Sequence, residues 1–199
     1  MAPRSHQTCV ICTILYFVLI SNMPCESLVM HAKSFITGGN GTATSPWQSG
    51  IERALGFCTI DCVVLVDSGH WVVEFMNISL GTSVIGMGWS TIIHHAPSRA
   101  KFPMGRLDHH AQLRRLVVNG SRFAPSVNTS FVNMDGGFTI VGDNVIVDSV
   151  KFVDFSAYGA LCHCNTKMPA ANLVVQNSTF QDCWVGFHSG RCCGCDFCL

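Results

Sequence analysis

Charged side chains are scarce in this 199-residue chain. Only 12% of residues are charged, with 12 Lys+Arg, 12 Asp+Glu and a formal net charge of zero. That balance offers no electrostatic footprint for nucleic acid or for an acidic membrane surface, and neither is expected as a partner. With 48% apolar residues, the chain has ample material for a buried core, which excludes disorder. Sustained helical periodicity is missing too, which excludes helical and leucine-rich repeats. Gly86-Met87-Gly88 lacks the third glycine of a dinucleotide-binding fingerprint and has no long helix after it. Beyond the N-terminal apolar run, Cys-x-x-Cys spacing occurs only at Cys192–Cys195 and Cys195–Cys198, which share Cys195, so the clean pair of units that a zinc site needs is missing. After the N-terminus, Gly, Asp or His interrupts every apolar stretch before it reaches the roughly 18–20 residues that span a bilayer.

The N-terminus reads as a signal peptide over residues 1–27. Arg4 precedes the apolar run Cys9–Ile20, and Cys25 and Ser27 are small enough for a cleavage site. Removal between Ser21 and Ala32 predicts a secreted, extracellular protein with no membrane association after cleavage. Five glycosylation sequons fit that route: Asn40, Asn77, Asn119, Asn128 and Asn177. So do the nine cysteines beyond the signal, since thiols pair outside the cytosol.

Glycine is plentiful, at 18 residues, and an internal repeat explains why. Leu116–Phe123 (LVVNGSRF), Val145–Phe152 (VIVDSVKF) and Leu173–Phe180 (LVVQNSTF) share two apolar residues two apart and a closing Phe; Val73/Phe75/Leu80 is a weaker copy. Apolar residues two apart point to one side of a strand. A rung of about 28 residues with short strands cannot bury its inner face alone, so it must stack on its copies. The expected fold is an all-β parallel solenoid over residues 36–190, with a Cys-rich tail at 191–199. Val118, Val147 and Val175 should form one inward column, and Phe123, Phe152 and Phe180 another.

The N-terminal third resembles the pectate-lyase-like superfamily, on the segments Gly39–Leu55 (GNGTATSPWQSGIERAL), Cys62–Trp71 (CVVLVDSGHW) and Val84–Ile93 (VIGMGWSTII). The resemblance implies a right-handed parallel β-helix with a short capping helix at Ser49–Leu55 and a turn at Asp67-Ser68-Gly69. It also implies a strand carrying Gly86, Gly88, Thr91 and Ile93. The implied function is binding to, or acting on, an extracellular polysaccharide of the pectin or alginate kind, as lyase, hydrolase, esterase or epimerase. The downstream catalytic signatures of pectinesterases and polygalacturonases are absent, which leaves open a non-catalytic surface or adhesive β-helix. Room for only five or six rungs leaves open a piece of a longer coil.

Candidate chemistry rests on Asp148, Asp154, Asp182 and His188, with His163 and Arg191 beside them. One rung spacing, about 4.8 Å, should separate Asp154 from Asp182, close enough to hold a calcium ion or share a proton. Each also suits a turn cap. Asn119, Asp148 and Gln176 form an expected outward row suited to polyhydroxylated ligands. His94-His95 and His109-His110 flank Ala96–Leu107, expected as a protruding loop. Adjacent histidines on a strand face opposite ways, so neither pair chelates by itself, and no bound cofactor or transition-metal site is expected. Disulfide candidates are Cys58, Cys62, Cys164 and Cys192. The last two lie 28 residues apart, one above the other in a coil, within the roughly 4.4–6.8 Å Cα separation a disulfide spans.

Overall fold

The computed structural model describes residues 27–97, 103–120, 136–155, 158–162, 172–183 and 185–189. Among these residues the chain is mostly parallel β-structure with one α-helix. Its strands fall into three ladders joined by corners. The first face stacks β1 (Leu28–His31), β3 (Cys62–Val66), β6 (Ser83–Gly86), the first half of β9 (Gln112–Asn119), the first half of β11 (Ile146–Val153) and β13 (Val174–Gln176). The second stacks β2 (Trp47–Gln48), β4 (Gly69–Val73), β7 (Thr91–His95), the second halves of β9 and β11, and β14 (Thr179–Gln181). The third stacks β5 (Met76–Ile78), β8 (Pro103–Leu107), β10 (Gly136–Ile140), β12 (Tyr158–Cys162) and β15 (Val185–Ser189).

Every pairing between these strands is parallel. Period-two alternation therefore sends one set of side chains inward on every rung. On the first face Met30, Val64, Val84, Leu113, Val147 and Val175 lie in line. On the second, Trp47, Trp71, Ile93, Val118, Phe152 and Phe180 do the same. The middle of each column is fully buried: Val64, Val84, Leu113 and Val147 on the first, Ile93, Val118 and Phe152 on the second. The first paired strand, β1, lies upstream of residue 36.

Helix α1 (Gly50–Phe57) lies where the capping helix was expected, and buries Gly50, Ile51, Ala54 and Leu55. A disulfide joins Cys58, just past the helix, to Cys62 at the start of β3, with Cα atoms 5.6 Å apart. Asp67 and Ser68 turn the chain between β3 and β4, and Gly69 takes φ 128° in the region that favours glycine. The glycine-flanked segment departs from expectation: it is two strands, β6 and β7, around a corner at Met87–Ser90. Buried Thr91 holds that corner. Its hydroxyl accepts from Met87 N at 2.9 Å and lies 3.3 Å from the carbonyls of Val66 and Asp67.

The repeat needs a correction. Val147 faces Val175 and Phe152 faces Phe180, as expected. Val118, however, faces Phe152, and Val147 faces Leu113. The segment beginning Leu116 belongs to the second face, whereas the one beginning Val145 opens the first. Both faces carry the same apolar alternation, so similarity aligned one face with the other. Phe123 lies outside the described residues. The weaker copy also fails: Val73 is buried, but Phe75 is 45% and Leu80 42% exposed. Finally, the expected loop Ala96–Leu107 ends in strand β8, paired on both sides in the third ladder.

Candidate functional site

Outward residues of the first face form the register His31, Leu65, Ile85, Arg114, Asp148, Gln176. After His31 it is apolar at Leu65 and Ile85 and turns polar at Arg114. Asp148 thus keeps Gln176 as its neighbour on one side, as expected, but has Arg114 on the other. Asn119 is corrected out of this row: it lies on the second face, between His94 and Val153. The cause is the same slip of one face.

Asp148 is the centre of the polar patch. Its Oδ1 accepts from the Asn177 amide at 3.1 Å and from the Ser149 hydroxyl at 3.1 Å. The Asn177 hydrogen bond, helped by Ser149, Gln176 and the Arg114 charge and partly opposed by desolvation, holds the Asp148 carboxyl below the usual carboxylate range. The group is ionised at neutral pH. Arg114 Nε is shielded from solvent and has no hydrogen-bond partner among the described residues. A guanidinium, a fixed carboxylate and two amides on successive rungs present donors and acceptors about 4.8 Å apart. Such a row matches vicinal hydroxyls and ligand carboxylates.

The other acidic candidates lie elsewhere. Asp154 and Asp182 follow the second face, both in the left-handed region (φ 58° and 53°), a conformation Asp tolerates at turns. Asp154 N donates to the Gln181 carbonyl at 3.1 Å, and Asp182 accepts from the Gln181 amide at 3.1 Å. Among the described residues, no group of three or more His, Cys, Asp or Glu side chains is gathered that could hold a metal ion. His188 sits on β15 of the third ladder, opposite Leu161. The four catalytic candidates are therefore distributed around the coil. His163, Arg191, Cys164 and Cys192 lie outside the described residues, as does Asn128.

No protein-family model, curated protein or solved structure matches this chain. The four described sequons are all at least partly exposed. In the first, Asn40 Oδ1 accepts from the Thr42 amide and hydroxyl, at 3.2 and 2.8 Å. In the last, the Asn177 nitrogen that donates to Asp148 is also the atom a glycan would use, and a glycan there would leave that nitrogen one hydrogen to donate.

Two further groupings could not be read from the sequence. The first is an open cavity of about 690 Å³ beside α1, lined by Gln48, Glu52, Arg53, Val72 and Glu74 among others. Glu52 Oε1 accepts from the backbone N–H groups of Glu74 and Phe75, tying the helix to the corner after β4. Burial pushes its carboxyl above the ordinary carboxylate value, against those two hydrogen bonds. The second is a histidine pair. His94 points outward and His95, next to it, is fully buried, as alternation requires. His94 meets His70 of the adjacent strand edge to edge, hydrogen-bonded with His70 Nδ1 2.8 Å from His94 Nε2, ring centroids 5.1 Å apart and planes within 11° of each other. The other sequence pair diverges differently: His109 accepts from Asp143 N at 3.0 Å, while His110 takes a left-handed corner at φ 58°.

Proposed function

We propose that this protein is a secreted, right-handed parallel β-helix protein that binds acidic polysaccharide of the pectin or alginate kind. The contact surface is the outer face of the first ladder. The observation that carries this reading is the Arg114–Asp148–Gln176 register, with Asn177 fixing the central carboxylate. A linear polymer laid across the rungs meets Arg114 on the first, Asp148 on the second, and Gln176 with Asn177 on the third. Arg114 pairs with a uronate carboxylate, while Asp148, Gln176 and Asn177 take sugar hydroxyls. One observation favours the non-enzymatic form of this reading. Asp154 and Asp182 stand at a different corner from Asp148, and His188 belongs to the third ladder, so the row has no acid–base partner among them.

The test is calorimetric titration of the purified chain with oligogalacturonates, oligoalginates and a neutral glucan, alongside an assay for chain cleavage. Binding to the acidic oligomers without turnover is expected. A charged hydrogen bond contributes roughly 1.5–3 kcal/mol, so Arg114→Ala should weaken binding by about 10- to 100-fold. Equal affinity in the variant, or no binding to either acidic oligomer, refutes the assignment.

A further inference from the structure

We propose that a glycan on Asn177 closes the polysaccharide face, so that glycosylation at this one corner decides whether the row Arg114–Asp148–Gln176 can take a polymer. This rests on the polysaccharide reading of the first face. Asn177, Ser178 and Thr179 form a sequon at the corner between β13 and β14, where Asn177 is exposed and has φ 51°. The other described sequons stand elsewhere. Asn40 lies on the loop before β2, Asn77 on β5 of the third ladder, and Asn119 on the second face.

The decisive quantity is the 3.1 Å from Asn177 Nδ2 to Asp148 Oδ1. That nitrogen is the atom to which the sugar is joined. A bond forms between Nδ2 and the anomeric carbon, and the bond from that carbon to the diphosphate of a lipid-linked oligosaccharide donor breaks. The lipid diphosphate leaves, one amide proton is lost, and no atom is oxidised or reduced. The first sugar ring therefore begins beside the carboxylate at the centre of the row. Gln176, exposed and next in the chain, comes under the same cover. The remaining amide hydrogen is left for Asp148, so the corner keeps its hydrogen bond. Ser178 holds the corner too, through a hydroxyl that donates to the Gln176 carbonyl at 2.9 Å and accepts from Val150 N at 3.2 Å. Modification thus spares the scaffold and removes access. A tethered glycan is also its own competitor. Its hydroxyls meet the donors and acceptors of the row at the effective concentration of a short tether, in the millimolar range, which a free oligomer must exceed. Arg114, two rungs from Gln176 and so about 9–10 Å away, is left alone to hold the polymer.

The chain is produced with glycan in a eukaryotic secretory host, and without it in the bacterial periplasm, where disulfides also form. Peptide mass spectrometry reads occupancy at Asn177, and each form is titrated with oligogalacturonates and oligoalginates. Asn177 should be occupied. The glycosylated chain should bind at least about tenfold more weakly than the bare one, as the loss of a few hydrogen bonds requires. Thr179→Ala disables the sequon and leaves the Asn177 side chain in place. Made in the secretory host, that variant should bind as tightly as the bare chain, a gain that misfolding cannot mimic. Three results overturn this proposal while the polysaccharide reading stands: an unmodified Asn177, a glycosylated chain that binds as well as the bare one, or a Thr179→Ala chain as weak as its glycosylated parent. A bare chain that binds neither acidic oligomer refutes that reading, and the proposal falls with it.

Discussion

Phe152 is the residue on which the stacked architecture can be tested most sharply. Its side chain is fully buried in the inward column of the second face, with Val118 on one side and Phe180 on the other. It stacks on Phe180, with centroids 5.0 Å apart and planes 7° apart, and its ring also contacts Phe138 edge-on and Phe155, both at 6.5 Å. Neighbours from the same rung and from both adjoining rungs thus close around one ring. Phe152→Ala removes that ring from a site whose walls are backbone ladders, which cannot collapse easily. The expected cost is about 3–5 kcal/mol. For a chain of this size each kcal/mol shifts the midpoint by roughly 2–4 °C, so the melt should fall by about 6–20 °C. Phe180 is only partly buried, so Phe180→Ala should cost less. The double variant separates burial from pairing: the cycle should show a coupling of about 0.5–1.5 kcal/mol beyond additivity. Urea unfolding followed by circular dichroism measures all three. A loss under 1 kcal/mol for Phe152→Ala, or strict additivity with Phe180→Ala, refutes the stacked column.

Two further outcomes follow from packing and charge. Gly159 faces the Phe180 ring, and a Cβ there would lie 2.6 Å from Phe180 Cδ1 and 2.9 Å from the Gly186 carbonyl on the next rung. Gly159→Ala should cost roughly 1–3 kcal/mol by overpacking, and Phe180→Ala should partly rescue it in urea melts, whereas a neutral Gly159→Ala would contradict the close approach. Glu52 titrates higher in the folded chain than the ordinary 4.5, so the folded state holds the proton more tightly than the unfolded one. Its contribution to stability is therefore greatest below pH 4.5 and declines as pH rises from 4.5 through the raised folded value. Glu52→Gln retains an acceptor for the two backbone N–H groups and should remove that decline, seen as a relative gain in melting temperature between pH 4 and 7. A gain on acidification instead would reverse the assignment.

Sequence periodicity revealed the solenoid and misplaced one of its registers, for a physical reason. Between Val145–Phe152 and Leu173–Phe180 the rungs match residue for residue, so Phe152 could be paired with Phe180 directly. The rung before is longer: Gln112 faces Ile146. Alternation of apolar residues is identical on both faces of a rung, so it fixes which side chains point inward but not which face they occupy. Arg114 consequently stayed hidden as the neighbour of Asp148. His70 stayed hidden for another reason: its partner sits diagonally across the ladder, where His70 faces Ile92 across a rung shorter than the repeat of about 28 residues. Helix α1 was implied by the resemblance of a short contiguous segment, and Cys58 and Cys62 stood among the disulfide candidates with no partner assigned, a pairing the helix end and the start of β3 settle.

A better register marker is nonetheless present, in the corners instead of the core. Asp61, Gly81, His110, Asn144 and Asn172 all have positive φ, between 51° and 69°. Each stands two residues ahead of the mutually paired positions Val63, Ser83, Gln112, Ile146 and Val174. The chain therefore turns into the first face through the same left-handed step on five successive rungs. That step is sterically open to Gly and tolerated by Asn, Asp and His, but costly for branched residues. The last two members also bond to each other, Asn172 Nδ2 donating to Asn144 Oδ1 at 2.9 Å. A corner restricts residue type more tightly than an inward position does, because any apolar side chain satisfies the interior whereas few satisfy a left-handed backbone. In a solenoid with rungs of unequal length, the corner residues therefore fix the register, and the apolar residues fix only the direction of the core.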